Sequence, residues 1–189
     1  MRRSLTLLVA GIAASQLGAT DCGDVLKDPG FDLWCGSNLC AWTVERGEVT
    51  HAPTWNTADW GAEFIGDDVA IEQMSPVTSD DASCLVISMV ADIASDAEVD
   101  LNLDAYGDGT IDYTQRIPTS SWAPVSYTIA IGGVFEGMRF EIAKRGSGHA
   151  ELARLRAQTT TDCAGFAPSF TAPAPPVGGD CTELDTCAA

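Results

Sequence analysis

The sequence predicts an all-β protein, an antiparallel sandwich or barrel, and three observations support this fold class. Several segments alternate apolar and polar residues with the period of a half-buried strand. One segment, "CLVISMV" at 84–90, is almost wholly apolar and suits a central strand. Glycine-rich turn signals at 107–109, 132–133 and 146–148 separate the strand segments. Many short strands with frequent turns are typical of antiparallel architectures.

The alternation is clearest in "EVDLNLD" at 98–104, where Val99, Leu101 and Leu103 are predicted to face the core. The acids and the amide between them are then predicted to form a solvated face. The other strands are predicted at 41–49, 62–65, 69–73, 125–131 and 138–144.

The segment "HAELARLRAQ" at 149–158 fits two structures. It is rich in helix formers, and Leu152 and Leu155 lie three residues apart, as on one face of a helix. A strand with a bulge gives the same spacing.

The chain is predicted to have one folded domain between two other segments. Residues 1–19 have the layout of a secretory signal peptide, with a basic start and a short apolar run. We expect the β-sandwich domain at 20–163. The tail at 164–189 is rich in proline and glycine and ends in a small cysteine loop. No segment is apolar for long enough to span a membrane as a helix.

Charge and export limit the partners. The chain carries 10 Lys and Arg against 27 Asp and Glu, a net charge of −17, and loss of the basic signal peptide leaves −19. Such a charge repels polyanions, so nucleic acid and anionic membranes are poor partners. The protein is expected to be bacterial and either secreted or at the cell surface. A lipid anchor at Cys22 is the weaker alternative, because Asp21 precedes it.

The seven cysteines are expected to be mostly paired in an oxidising compartment. Closeness in the sequence suggests the disulfides Cys35–Cys40 and Cys181–Cys187. Cys84 is then left to pair with Cys163, unless Cys22 pairs with Cys163 instead.

A set of weak motifs occurs in a defined order. "LKDPGFD" at 26–32 is followed by "CAWTVERGEV" at 40–49, and then by "VAIEQ" at 69–73. Later come "SSWAPVSYTIAI" at 120–131 and the segment around Leu152 and Leu155. This order resembles the family 4/9-type carbohydrate-binding modules and the wider galactose-binding-like jelly rolls, over about residues 24–160.

The resemblance implies a jelly-roll β-sandwich whose final strand carries the apolar pair three residues apart. It implies that this strand pairs with the central strand, which favours the disulfide Cys84–Cys163. It also implies core positions for Trp42 and Trp122. The structural calcium of many relatives is not carried over, because Ala153 and Arg154 stand where those relatives have an acid.

The stretch "TWNTADWG" at 54–61 holds the candidate carbohydrate site. An exposed tryptophan packs on the apolar face of a pyranose, and neighbouring polar groups bind its hydroxyls. The candidate residues are Trp55, Trp60, Asn56, Asp59 and Glu63. The ordinary alternative is that both rings cap the core.

The segment "DAYGDGTID" at 104–112 imitates a calcium-binding loop through Asp104, Asp108 and Asp112. Two of the expected ligand positions hold Tyr106 and Gln115, and a simple hairpin turn also explains the sequence. Calcium is therefore the weaker interpretation, and no cofactor is expected.

No catalytic motif occurs in the sequence. The predicted function is a non-catalytic carbohydrate-binding module whose partner is a polysaccharide or glycan. The alternative is a structural or adhesion protein of the cell envelope without a small-molecule ligand.

Overall fold

The computed structural model describes residues 24–55, 60–79, 83–131 and 135–160. The predicted signal peptide, the tail at 164–189 and the disulfide Cys181–Cys187 lie outside them. The strands are β1 Trp34–Cys35, β2 Asn38–Leu39, β3 Thr43–Pro53, β4 Trp60–Ser79, β5 Ser83–Ile93, β6 Glu98–Asp104, β7 Tyr113–Ile117, β8 Ser120–Ile131, β9 Phe135–Arg145 and β10 Ala150–Thr160. The described part of the chain contains no helix that is long and apolar enough to cross a membrane.

The fold is an antiparallel jelly roll, as predicted. The strand order is β7-β6-β9-β4-β10-β5-β8, and β3 also pairs with β4. The long strand β4 joins the two halves of the sheet, because its first part pairs with β10 and its later part, after Gly66, pairs with β9. Gly66 has a φ of 108°, a conformation that favours glycine, so the strand can change direction there.

The core is a single cluster built from the inward residues of the strands. On β5 these are Leu85, Ile87, Met89, Ala91 and Ile93, each at most 1 % exposed. The alternation on β6 is confirmed for its apolar residues, which are buried. The prediction of a solvated polar face was wrong for Asp100 and Asp104, whereas Glu98 is exposed.

Two acids on β6 are buried instead. Asp100 is 4 % exposed and Asp104 is 1 % exposed. Asp100 accepts hydrogen bonds from Arg116 and Arg145, and Asp104 accepts bonds from the backbone of the following turn. Period-two alternation shows that these side chains share a face, but it does not show whether another part of the chain covers that face.

The segment at 149–158, which fitted either a helix or a strand, forms most of the final strand β10, as the resemblance implied. β10 pairs antiparallel with β5 over its whole length, with a bulge between Ala153 and Arg156. The bulge places Leu152 and Leu155 in the core together, although they are three residues apart.

The N-terminal segment is held on the sandwich by Gln73 of β4. Its Nε2 donates to the carbonyl oxygens of Lys27 and Ala41, at 2.7 and 2.8 Å, and its Oε1 accepts from the amide of Lys27. Trp42 is 4 % exposed, so its predicted core position is confirmed. The disulfide Cys35–Cys40 is present. Cys84 is disulfide-bonded, and its predicted partner Cys163 lies outside the described residues.

Candidate functional site

The candidate site lies on the face of β3, β4, β10, β5 and β8 that points away from the core. Its main feature is a row of polar side chains across neighbouring strands. Thr50 of β3 lies opposite Glu63 of β4, which lies opposite Glu151 of β10, which lies opposite Asp92 of β5. We call these four residues the acid row. They share one face because paired residues of antiparallel strands point to the same side.

His149, just before β10, lies over the three carboxylates. Its Nδ1 is 3.3 Å from Glu63 Oε1, and its Nε2 is 3.8 Å from both Asp92 Oδ2 and Glu151 Oε2. The hydroxyl of Thr50 is 3.5 Å from Glu63 Oε2 and donates to it. His149 therefore offsets the repulsion among the acids only when it is protonated.

Glu151 is the buried member of the acid row, at 4 % exposure. Burial, followed by the charges of Glu63 and Asp92, raises the pKa of Glu151 to about 7. Its Oε1 has no hydrogen-bond partner among the described residues. The carboxyl group is thus close to its titration midpoint at neutral pH.

Gly61 provides the space beside this carboxyl. A Cβ atom at Gly61 would lie 2.7 Å from the carbonyl oxygen of Leu152 and 3.0 Å from Glu151 Oε1. The neighbouring Ala52, Ala153 and Val90 are also buried on this face. These four residues form a floor of small and apolar side chains next to the acid row.

Trp55 and Trp122 form the aromatic part of the site. Their ring centroids are 5.1 Å apart and their planes are inclined by 48°. Trp55 is 45 % exposed. The Arg154 guanidinium carbon lies 5.1 Å from the Trp55 ring centroid, within the range of a cation–π contact.

Two bulges bring these side chains together. On β8, Trp122 and Ser121 together oppose Asp92, since the register shifts between Ala91 and Ile93. The second bulge is the one on β10 between Ala153 and Arg156, which contains Arg154. Trp122 and Arg154 both have a positive φ, of 49° and 52°. The predicted core position of Trp122 was therefore wrong, because the bulge takes the ring out of the regular alternation and places it half-buried beside Trp55.

Trp60 belongs to a different surface. It follows the inward register of Ala62 and Phe64 but lies at the rim, where it is 42 % exposed. Its ring centroid is 4.3 Å from that of His51, which in turn is 4.7 Å from that of Trp34. We call these three residues the rim stack. A groove of about 630 Å³ runs beside it, between the β1–β2 turn and β3.

The predicted site residues are thus separated in space. Trp55 and Glu63 lie on the acid-row face, and Trp60 lies in the rim stack. Asn56 and Asp59 lie outside the described residues. The sequence interpretation missed Asp92, Glu151, His149 and Arg154. The only sequence signal for them was the alternation of β5 and β10, which gives no information on which acids become neighbours.

The three acids of the calcium-like segment serve the β6–β7 turn. The Asp104 carboxylate accepts from the amides of Asp108 and Gly109, at 3.2 and 2.8 Å. Asp112 accepts from the amide of Ala105 at 2.8 Å, and Asp108 accepts from that of Thr110 at 2.8 Å. Within the described ranges, no group of three His, Cys, Asp or Glu side chains has the arrangement of a metal site.

Solved structures with a similar fold include several carbohydrate-binding modules. A family 61 carbohydrate-binding module, solved with β-1,4-galactotriose, superposes with a TM-score of 0.55 at 12 % identity, over 72 % of this chain and 99 % of that module. The CBM22-1 xylan-binding domain of Xyn10C from Paenibacillus barcinonensis has a TM-score of 0.50 at 12 % identity, over 72 % of this chain and 95 % of that domain.

An enzyme shares the fold as well. A cyclase from Fischerella sp. TAU has a TM-score of 0.54 at 10 % identity, over 73 % of this chain and 97 % of the cyclase. No family model matches the sequence, and no curated protein is significantly similar to it. At these identities the likeness concerns the fold, which is the jelly roll of the carbohydrate-binding modules.

Proposed function

We propose that the protein is a non-catalytic module that binds a polysaccharide, outside the cell or at its surface, through the acid-row face. The observation that carries this proposal is the exposed Trp55, which packs against Trp122 beside the acid row. The pyranose stacks on the aromatic pair, and the polar groups of Glu63 and Asp92 accept hydrogen bonds from its hydroxyls. These two side chains are 31 % and 25 % exposed, so solvent and ligand reach them.

The setting of Trp55 favours binding over a structural role. A ring that only closed the core would be covered, whereas Trp55 leaves nearly half of its surface in solvent. Trp122 holds one side of it, which lowers the entropy lost when a ligand orders the ring. The disulfide Cys35–Cys40 fits an oxidising extracellular compartment.

The test is a set of binding isotherms with soluble galactan, xylan and β-glucan, read from tryptophan fluorescence and from calorimetry. We expect weak binding of at least one polysaccharide, independent of salt when the polymer is neutral. Trp55→Ala is expected to weaken it by about tenfold or more. Trp60→Ala is the matched control, since it removes an equally exposed ring from the rim stack. Equal loss in both variants, or no binding of any polysaccharide, would contradict the proposal.

A further inference from the structure

The acid row places three carboxyl groups on adjacent strands, an arrangement that costs stability. Glu63, Glu151 and Asp92 lie directly opposite one another across β4, β10 and β5. Like charges in directly opposite positions destabilise a sheet, and burial of Glu151 adds a desolvation cost. Gln and Asn side chains would fill the same positions without this repulsion.

The groups that face Glu151 leave the row short of positive charge. Glu63 faces it from β4, Asp92 faces it from β5, and Thr50 of β3 adds only a hydroxyl. His149 provides a positive charge only when protonated. The independent sign of a missing partner is Glu151 itself, because its side chain is 5 % exposed and its Oε1 has no partner among the described residues.

The carboxylates lie within reach of a saccharide on the aromatic pair. Trp122 lies opposite Asp92 through the bulge of β8, and Glu151 and Glu63 follow on the next two strands. A saccharide that stacks on Trp55 would therefore place a positive group over Asp92 and Glu63. Those two carboxylates are exposed enough to meet it, and Glu151 adds negative charge from beneath.

From this charge pattern we infer that the ligand is a saccharide that carries a protonated amine, such as an oligomer of β-1,4-linked glucosamine. The inference rests on the proposed function, since it names the class of saccharide bound at the same face. It also accounts for the acid row, because a bound ammonium group supplies the positive charge that the three acids lack.

The inference predicts that binding releases a proton. An ammonium group next to Glu151 favours its ionised form and lowers its pKa, which burial and the acidic neighbours hold at about 7 in the free protein. The carboxyl proton then passes to solvent, provided that the amine already carries its own proton. Calorimetry is therefore done at pH 6, where most of the glucosamine amine is protonated and Glu151 still holds its proton. Two buffers of different ionisation enthalpy give the number of protons released.

The experiment compares three oligosaccharides of equal length and linkage on the full chain: a glucosamine oligomer, its N-acetylated form and a glucose oligomer. At pH 6 and low salt, we expect the glucosamine oligomer to bind about tenfold more tightly than the other two, and this preference to fall as salt is added. Asp92→Asn should abolish the preference, and Glu151→Gln should abolish proton release.

Glu45→Gln is the control for the overall negative charge. Glu45 is exposed on β3, outside the acid row, and its substitution removes the same charge. It should leave both the preference and the proton release unchanged. A loss of preference equal to that of Asp92→Asn would show that only the net charge of the protein attracts the amine, which would overturn the inference.

The remaining outcomes separate the two proposals. Equal affinity for all three oligosaccharides would overturn the amine inference and leave carbohydrate binding intact. Binding of Ca²⁺ without saccharide, lost in Asp92→Asn, would overturn it in favour of a metal site. If none of the oligosaccharides or polysaccharides bound, the proposed function itself would be wrong.

Discussion

The acid-row face and the rim stack each expose one tryptophan of the same short stretch of chain, but they offer it differently. Trp55 packs on Trp122 beside a row of carboxylates. Trp60 continues a stack that begins with Trp34 and passes through His51. The first ring stands next to polar groups that can bind hydroxyls, and the second mainly extends a hydrophobic contact at the sheet edge. Equal exposure therefore does not mean equal function.

The difference arises from strand register. Trp60 is a residue of β4 and follows the same alternation as Ala62 and Phe64, so the strand directs it to the core side. Trp55 lies after the end of β3 and is free of that alternation. It meets Trp122, which a bulge has also released from the regular pattern. The aromatic part of the candidate binding face thus depends on irregular backbone, whereas Trp60 of the rim stack lies on regular backbone.

The largest expected effect concerns the stability of the acid row as pH changes. The pKa of Glu151 is raised from its ordinary value of 4.5 to about 7, so the folded state holds the proton more strongly than the unfolded state. Stability is therefore highest below pH 4.5 with respect to this group and falls as pH rises to 7, by up to about 3 kcal/mol. Urea denaturation at pH 4.5, 6 and 8 measures the effect.

Glu151→Gln supplies the control for this pH dependence. The amide cannot ionise, so the part of the fall that comes from Glu151 should disappear. His51 belongs to the rim stack, so His51→Gln should leave the fall in place. An unchanged pH profile in Glu151→Gln would contradict the assignment.

Gly61→Ala should damage the acid-row face and spare the rim stack. The new Cβ would meet the backbone oxygen of Leu152 at 2.7 Å, so β4 and β10 must move apart there. We expect a loss of about 2 kcal/mol in the free energy of unfolding, together with weaker saccharide binding. Thermal denaturation and fluorescence titration test the two parts. Wild-type stability would show that the close approach of the strands is not required.

Removal of the disulfide Cys35–Cys40 should damage the rim stack and spare the acid-row face. Cys35→Ala with Cys40→Ala opens the short loop that follows Trp34, and the chain-entropy model gives a cost of about 2 kcal/mol. Saccharide affinity at the other surface should stay within about twofold of wild type. A loss of binding as large as that of Trp55→Ala would show that the two surfaces are coupled.

The smallest expected effect is that of Arg154. Its guanidinium lies against Trp55, and an exposed cation–π contact contributes about 0.5–1 kcal/mol. Arg154→Lys keeps the charge and should change affinity less than Arg154→Ala, which should weaken binding by about threefold. Parallel isotherms of the two variants distinguish the contact with the ring from the overall charge.

The sequence predicted much of the fold but only part of the site. Apolar alternation located most strands, and the disulfide Cys35–Cys40 followed from closeness of its cysteines. The bulge of β10 was anticipated through the family resemblance. The alternation and this disulfide depend on residues that are close together in the chain, and for that reason a single sequence reveals them.

The acid row could not be predicted because it depends on register between strands that are distant in the chain. Glu63 and Glu151 are 88 positions apart, and only the pairing of β4 with β10 brings them together. Trp122 was assigned wrongly for a related reason, since its bulge depends on pairing with β5. The exposure of Trp55 and Trp60 was likewise a property of their tertiary neighbours.

The most direct test of binding at the acid-row face is an NMR titration of the five tryptophan indole N–H signals with the saccharide that binds best. Single substitutions assign the signals. We expect the signals of Trp55 and Trp122 to shift together on binding, while those of Trp34, Trp42 and Trp60 stay in place. Shifts at Trp60 and Trp34 with an unchanged Trp55 signal would place the binding site at the rim stack and contradict the proposed function.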